Sequence, residues 1–94
     1  MRLDGERVLL EGPVTIATVP ALFARARAAC RDGATVLDFA AVGEVDSAAV
    51  AMAVALLREA AAAGRRFAVA NVPAAMATLA ELYSVTDVIA APRP

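Results

Sequence analysis

Asp46 and Ser47 stand side by side where a short run of β-branched and aromatic residues gives way to a long alanine-rich one, TVLDFAAVGEVDSAAVAMAVALL over residues 35–57. An acid next to a hydroxyl can serve three kinds of chemistry. A nucleophilic serine needs a base and a group that orients the base. The chain contains no His, so it lacks the one side chain that titrates near neutrality without perturbation, and nucleophilic catalysis is set aside. Alternatively, Ser47 could accept a phosphoryl group, whose charge is favoured at the positive end of a helix but repels a partner pressed against the same place. Finally, Asp46 or Ser47 could be the helix N-cap, its side-chain oxygen accepting from the N–H of Ala49 or Val50. Capping and phosphoryl acceptance both stay open at this level.

The flanking residues say how the pair is held. Val36, Leu37 and Phe39 read as a short buried strand within residues 35–39, Gly43 gives room to turn, and from Ser47 to Gly64 only helix-compatible residues occur. Such a joint points Ser47 toward solvent with free backbone N–H groups behind it. Upstream, residues 7–10 suit a strand, Gly12-Pro13 breaks it, and residues 14–16 suit a second, which predicts a hairpin. Thr18 and Pro20 then introduce a helix with Leu22, Phe23 and Ala26 on one side and Arg25, Arg27 and Arg31 on the other, closed at Gly33. Gly64 caps the second helix, with Arg65 and Arg66 beside its negative end. Residues 67–70 form the next strand. Met76, Leu79, Ala80 and Tyr83 predict a helix over 74–83, Val88-Ile89 an edge strand or packed tail, and residues 92–94 a frayed end.

Strands separated by helices need crossover connections, so the central strands are expected to be parallel and the opening pair antiparallel. The predicted fold class is α/β, a mixed, mostly parallel sheet of four to five strands packed with three to four helices. At 94 residues, a single domain over 1–94 is expected.

The helix that follows Ser47 is unusually apolar. On a helical wheel, Val50, Ala53, Val54, Leu57 and Ala61 form a stripe wide enough to face a sheet, while Ala48, Met52, Ala55 and Glu59 lie on another side with Ser47 and Ala51 at its edge. A solvated helix would carry Lys and Glu there. Alanine promotes helix formation regardless of context, which is one reading. The other is a docking face for a protein partner, with Met52 as an adaptable apolar contact.

Composition removes several classes. Nine basic and ten acidic residues leave a net charge of -1, without the clustered basic footprint of nucleic-acid binding. Cys30 is the only cysteine, which forbids an intrachain disulfide and suits the cytoplasm. No imidazole ligand and no GxxxxGK[ST] loop is present, so neither a metal nor a nucleotide cofactor is expected. No apolar run approaches the ~20 residues of a membrane span, so no direct membrane insertion is expected.

These segments resemble a known family. LEGPVTIATVPALFARAR resembles the opening strand pair and first helix of STAS domains, VLDFAAVGEVDSAAVA their D-[ST]-[AS]-G-L signature, and GRRFAVANVPAAMATLAELYSVTDVIA their last strand-helix unit. The resemblance spans nearly the whole chain. Within the family, the ending L-A-E-L-Y-x-V is most similar to the MlaB-like cytoplasmic subunit of the Mla phospholipid-transport ABC complex. That resemblance implies a non-catalytic subunit that binds the MlaF-like ABC ATPase subunit, in a complex with permease and lipid-binding subunits. It also implies a contact at the signature hydroxyl, here Ser47, preceded by Asp46 and followed by Ala48, and continued along Ala51, Met52 and Ala55. In anti-sigma factor antagonists of the same family the corresponding serine is phosphorylated by a serine-kinase anti-sigma factor, which makes Ser47 a candidate phosphorylation site. The chain departs from the signature at Ala49, where Gly is usual, and at Val50, where Leu is usual; a close backbone approach by a partner is affected first.

Overall fold

Val8, Leu10 and Val14 are fully buried while Arg7, Glu11 and Pro13 are exposed, the period-two signature of a strand with one face on a core. In the computed structural model, which describes residues 1–90, this strand runs unbroken as β2 (Arg7–Val14). It is preceded by β1 (Arg2–Asp4) and followed in order by α1 (Val19–Arg31), β3 (Val36–Val45), α2 (Ser47–Ala62), β4 (Ala68–Ala70), α3 (Ala74–Leu82) and α4 (Thr86–Ala90). The sheet order is β1-β2-β3-β4, with β1 antiparallel to β2 and the other pairs parallel. The α/β class and the mixed, mostly parallel sheet therefore stand, with four strands and four helices among the described residues. Because β2–α1–β3 and β3–α2–β4 step the same way across the sheet, right-handed crossovers set α1 and α2 on one face, where the helices pack on one another.

The opening hairpin differs from the expected one. Its turn is at Gly5, in a positive-φ conformation (60°), so that Arg2 faces Leu9 and Asp4 faces Arg7. Gly12 and Pro13 do not break β2. Gly12 takes φ 70°, the register against β3 shifts on either side of it, and the strand absorbs the distortion as bulges. Pro13 is tolerated because β1 pairs only with Arg7 to Leu9, which leaves the outer edge of the later residues without a strand partner that would need its N–H. Gly43 likewise lies inside β3, not at a turn. The later halves of β2 and β3 thus project as a two-stranded ribbon beyond β1 and β4. At the other end of the chain, Val88 and Ile89 belong to the short helix α4, not to an edge strand; residues 92–94 lie outside the described residues.

Three helices end in the same way. After α1, Gly33 N–H reaches Cys30 O and Ala34 N–H reaches Ala29 O; after α2, Gly64 and Arg65 reach Ala61 and Ala60; after α3, Ser84 and Val85 reach Glu81 and Ala80. This is the Schellman pattern, in which the residue after the cap must be left-handed. Gly33 and Gly64 adopt it without a Cβ penalty, whereas Ser84 adopts it at φ 57°. The tight end at Ser84 leaves Tyr83 on the surface, 56% exposed, although helical spacing had placed it with the apolar residues. Of that set, Met76 and Ala80 are buried and Leu79 is half-buried.

One buried acid ties three strands together. Asp38 of β3, 5% exposed, accepts from Arg7 Nη1 of β2 at 2.7 Å, from the Ala40 backbone N–H at 2.8 Å, and from Asn71 Nδ2 just after β4 at 2.9 Å. Asn71 adopts φ 57° to make this contact possible, a conformation Asn tolerates better than most residues. The Asn71 hydrogen bond, followed by those of Ala40 and Arg7, outweighs burial and holds the Asp38 carboxyl below its usual value. A lowered folded-state value means that the stabilisation is complete above the unfolded carboxyl value of about 3.9 and is lost as pH falls through the folded value. Asp38→Ala is expected to destabilise the fold by about 2 kcal/mol, and Asp38→Asn to flatten the acid limb of the stability profile. Urea unfolding from neutral to acidic pH checks both: equal acid slopes in wild type and Asp38→Asn would show that Asp38 does not supply the linkage.

Candidate functional site

β3 delivers the chain to Asp46 in an extended conformation (φ -134°, ψ -169°), and α2 begins at the next residue. Asp46 is the N-cap. Its Oδ1 accepts from the Ala48 N–H at 2.8 Å, while its Oδ2 accepts from the Ile16 N–H at 2.9 Å. One carboxylate therefore satisfies an orphan donor of the helix and fastens the loop between β2 and α1 to the same spot. That loop is tight: Thr18 Oγ1 accepts from Thr15 N–H at 2.9 Å and donates to Pro13 O at 3.0 Å. Ile16 is left 78% exposed beside the helix start.

With Asp46 acting as the cap, Ser47 is released from that role. It is exposed at the first helical position, and its hydroxyl makes no hydrogen bond among the described residues. Down the helix, Ala51 is exposed and Ala48 and Ala55 are half-buried. Met52 is a correction. Expected as an outward contact, it is 2% exposed and belongs to the core. The buried arc of α2 is wider than a sheet-facing stripe because α1 packs along one side and α3 and α4 along the other. Met52 sits about 20° from Glu59 on the helical wheel, and Glu59 is turned to α1, where its Oε1 is 3.0 Å from Arg27 Nε. The outward strip of α2 is consequently Ser47, Ala51, Ala55, Arg58 and Ala62, about 80° wide.

On its α3–α4 side this strip descends into an open groove of about 460 Å³, floored by Val50, Val54 and the α2 alanines and walled by Tyr83 and Val85. Sequence reasoning missed Ile16, Arg58, Tyr83 and Val85. Ile16 resembles a strand residue until the Asp46 bridge is seen, and the projection of Tyr83 depends on the left-handed Ser84, which no residue type announces. The groove is lined mainly by apolar side chains, with Ser47 and Arg58 as its polar members on α2. Cys30 is 5% exposed, and burial raises its thiol above the ordinary value, with nearby Arg65 opposing and Glu59 adding to the effect; it packs as a small hydrophobe. No group of three or more His, Cys, Asp or Glu side chains converges among the described residues, and no helix there is long and apolar enough to cross a membrane.

The double role of Asp46 gives a direct test. Asp46→Ala is expected to destabilise the protein by about 1–2 kcal/mol and to speed hydrogen exchange at the amides of Ile16 and Ala48 together. Acceleration at Ala48 alone would mean that the loop is held by other contacts.

No curated protein matches the chain. The family model described as "Mlab, STAS domain" matches residues 2–90, from β1 to the end of α4, and so includes the Asp46 cap, the outward strip of α2 and both walls of the groove. The chain belongs to the MlaB-like STAS-domain family.

Proposed function

We propose that this protein is a non-catalytic accessory subunit of an Mla-type phospholipid-transport ABC transporter. It binds the MlaF-like ATPase subunit and supports it in maintaining outer-membrane lipid asymmetry, lying in the cytoplasm and reaching the inner membrane only through that partner. The permease and lipid-binding subunits complete the complex. The observation that carries this reading is the meeting of two distant sequence features on one surface: Ser47 of the signature and Tyr83 and Val85 of the L-A-E-L-Y-x-V ending border the same groove. Small side chains at Ala48, Ala51 and Ala55 allow a partner's backbone to approach closely, and Tyr83 offers the rigid, amphipathic area typical of interface anchors. Asp46 contributes by holding Ser47 and Ile16 in place.

A second reading draws on the exposed, unbonded Ser47 hydroxyl at the start of α2. A phosphoryl group there would be favoured by the helix dipole, as in an anti-sigma factor antagonist controlled by a serine-kinase anti-sigma factor.

Binding to the purified Mla-type ATPase separates the two. Ser47→Arg and Ala51→Glu are each expected to weaken binding by tenfold or more with unchanged thermal unfolding, since both positions are exposed. Wild-type affinity in both variants would remove α2 as the contact. Intact mass after incubation with the serine-kinase anti-sigma factor tests the alternative, which predicts one added phosphate in the wild type and none in Ser47→Ala.

A further inference from the structure

Arg58 borders the groove on α2. It lies about 20° from Ser47 around α2 and eleven residues, about 16 Å, along it, so the two polar residues mark opposite ends of one strip with Ala51 and Ala55 between them. Arg27 of α1 is paired to Glu59 of α2 at 3.0 Å, while Arg25 and Arg31 of α1 are exposed and make no ion pair among the described residues; neither of these borders an apolar groove on α2 as Arg58 does. Arg58 has no such partner: it is exposed, makes no ion pair or hydrogen bond among the described residues, and no carboxylate lines the groove it borders. A solvated arginine needs no partner on its own account. One at the rim of an apolar groove is different, because a partner filling the groove would strip water from the guanidinium and leave it uncompensated unless it brought an anion.

We infer that the groove between α2 and the α3–α4 turn receives an apolar segment of the ATPase subunit that carries a carboxylate at its Arg58 end. The inference rests on the reading of α2 as the ATPase contact. A length of about 16 Å is that of a three-turn helix, and the small floor with the Tyr83 and Val85 wall on one side is the shape that takes a helix laid alongside it. The groove is open to solvent, so a free fatty acid would leave much of its chain in water, whereas a protein segment brings its own covering surface. The planar guanidinium can engage the carboxylate through two parallel N–H donors, which fixes both the register and the direction of the docked segment by placing its carboxylate at the Arg58 end.

The test measures affinity and rates for the purified Mla-type ATPase at low and at physiological ionic strength. Arg58→Gln is expected to weaken binding about tenfold and Arg58→Glu about a hundredfold, mostly by faster dissociation, and both are expected to reduce the salt dependence. Arg58→Lys should recover part of the affinity. An Asp→Arg or Glu→Arg change in the ATPase that restores binding to Arg58→Glu identifies the partnering residue. Wild-type affinity and salt dependence in Arg58→Glu, with Ser47→Arg still abolishing binding, overturns the pairing while leaving the ATPase contact in place. Loss of neither variant's binding overturns the contact itself. A change confined to the association rate overturns the pairing in favour of long-range steering, and a wild-type dimer that Arg58→Glu dissociates would assign the groove to a second copy of this chain.

Discussion

Enclosure of α2 on three sides is the constraint on which the rest of the structure depends. The chain has three Phe, one Tyr and no Trp, so few side chains can anchor a core individually, and a central helix of small and medium residues must be covered from several directions. The sheet lies beneath it, α1 on one side, and α3 and α4 on the other. Eight of its residues enter the core as a result, among them Met52, Leu56 and Leu57. Burial of each large side chain contributes roughly 1.5–3 kcal/mol. Only a narrow outward strip is left over. Its small size is a by-product of the packing, and its chemistry is what remains available to a partner.

Division of labour at the start of that helix follows from the geometry of one carboxylate. Asp46 has two oxygens, and each has a separate backbone donor. The fold needs nothing from the neighbouring hydroxyl. A Ser at the N-cap itself would be tied to the helix backbone and poorly placed for an outside partner; one residue later it is stereochemically fixed by the helix yet chemically free. Capping therefore falls to Asp46 alone, and the Ser47 hydroxyl is left without a hydrogen bond among the described residues.

The parts of this architecture that were legible in the sequence are those written in local chemistry. Gly33 and Gly64 marked two helix ends because glycine is the residue that enters the left-handed conformation freely; the third end uses the same hydrogen bonds at Ser84, where the residue type gives no signal. Helices between strands announced the parallel pairs. Gly12-Pro13 misled, because a residue that usually interrupts a strand is harmless when the adjoining edge has no partner, and the shortness of β1 is a tertiary fact. Asp38 was unreadable for a related reason: a lone acid within a strand looks like a solvent-facing residue until Arg7 and Asn71, 31 and 33 residues away, are brought over it. Ser47 was legible as a display point from the strand-to-helix joint alone, whereas the groove needed Tyr83 and Val85 to come back to α2 from the far end of the chain. Met52 failed because a wheel drawn for one covering surface cannot represent three.

The ribbon formed by the later halves of β2 and β3 bears on solubility. Among the described residues its two outer edges have no neighbouring strand, the usual template for edge-to-edge association. Gly12 in a left-handed conformation, the register shifts on both sides of it, and Pro13 without an N–H deform one of those edges so that an incoming strand cannot register against it. On the other, Gly43 and Glu44 are exposed, a flexible residue and a charge where a flat, apolar strand would invite pairing. A protein that already exposes an apolar helical strip is open to non-specific contact there, and the irregularity of β2 keeps the sheet edge from adding a second adhesive surface.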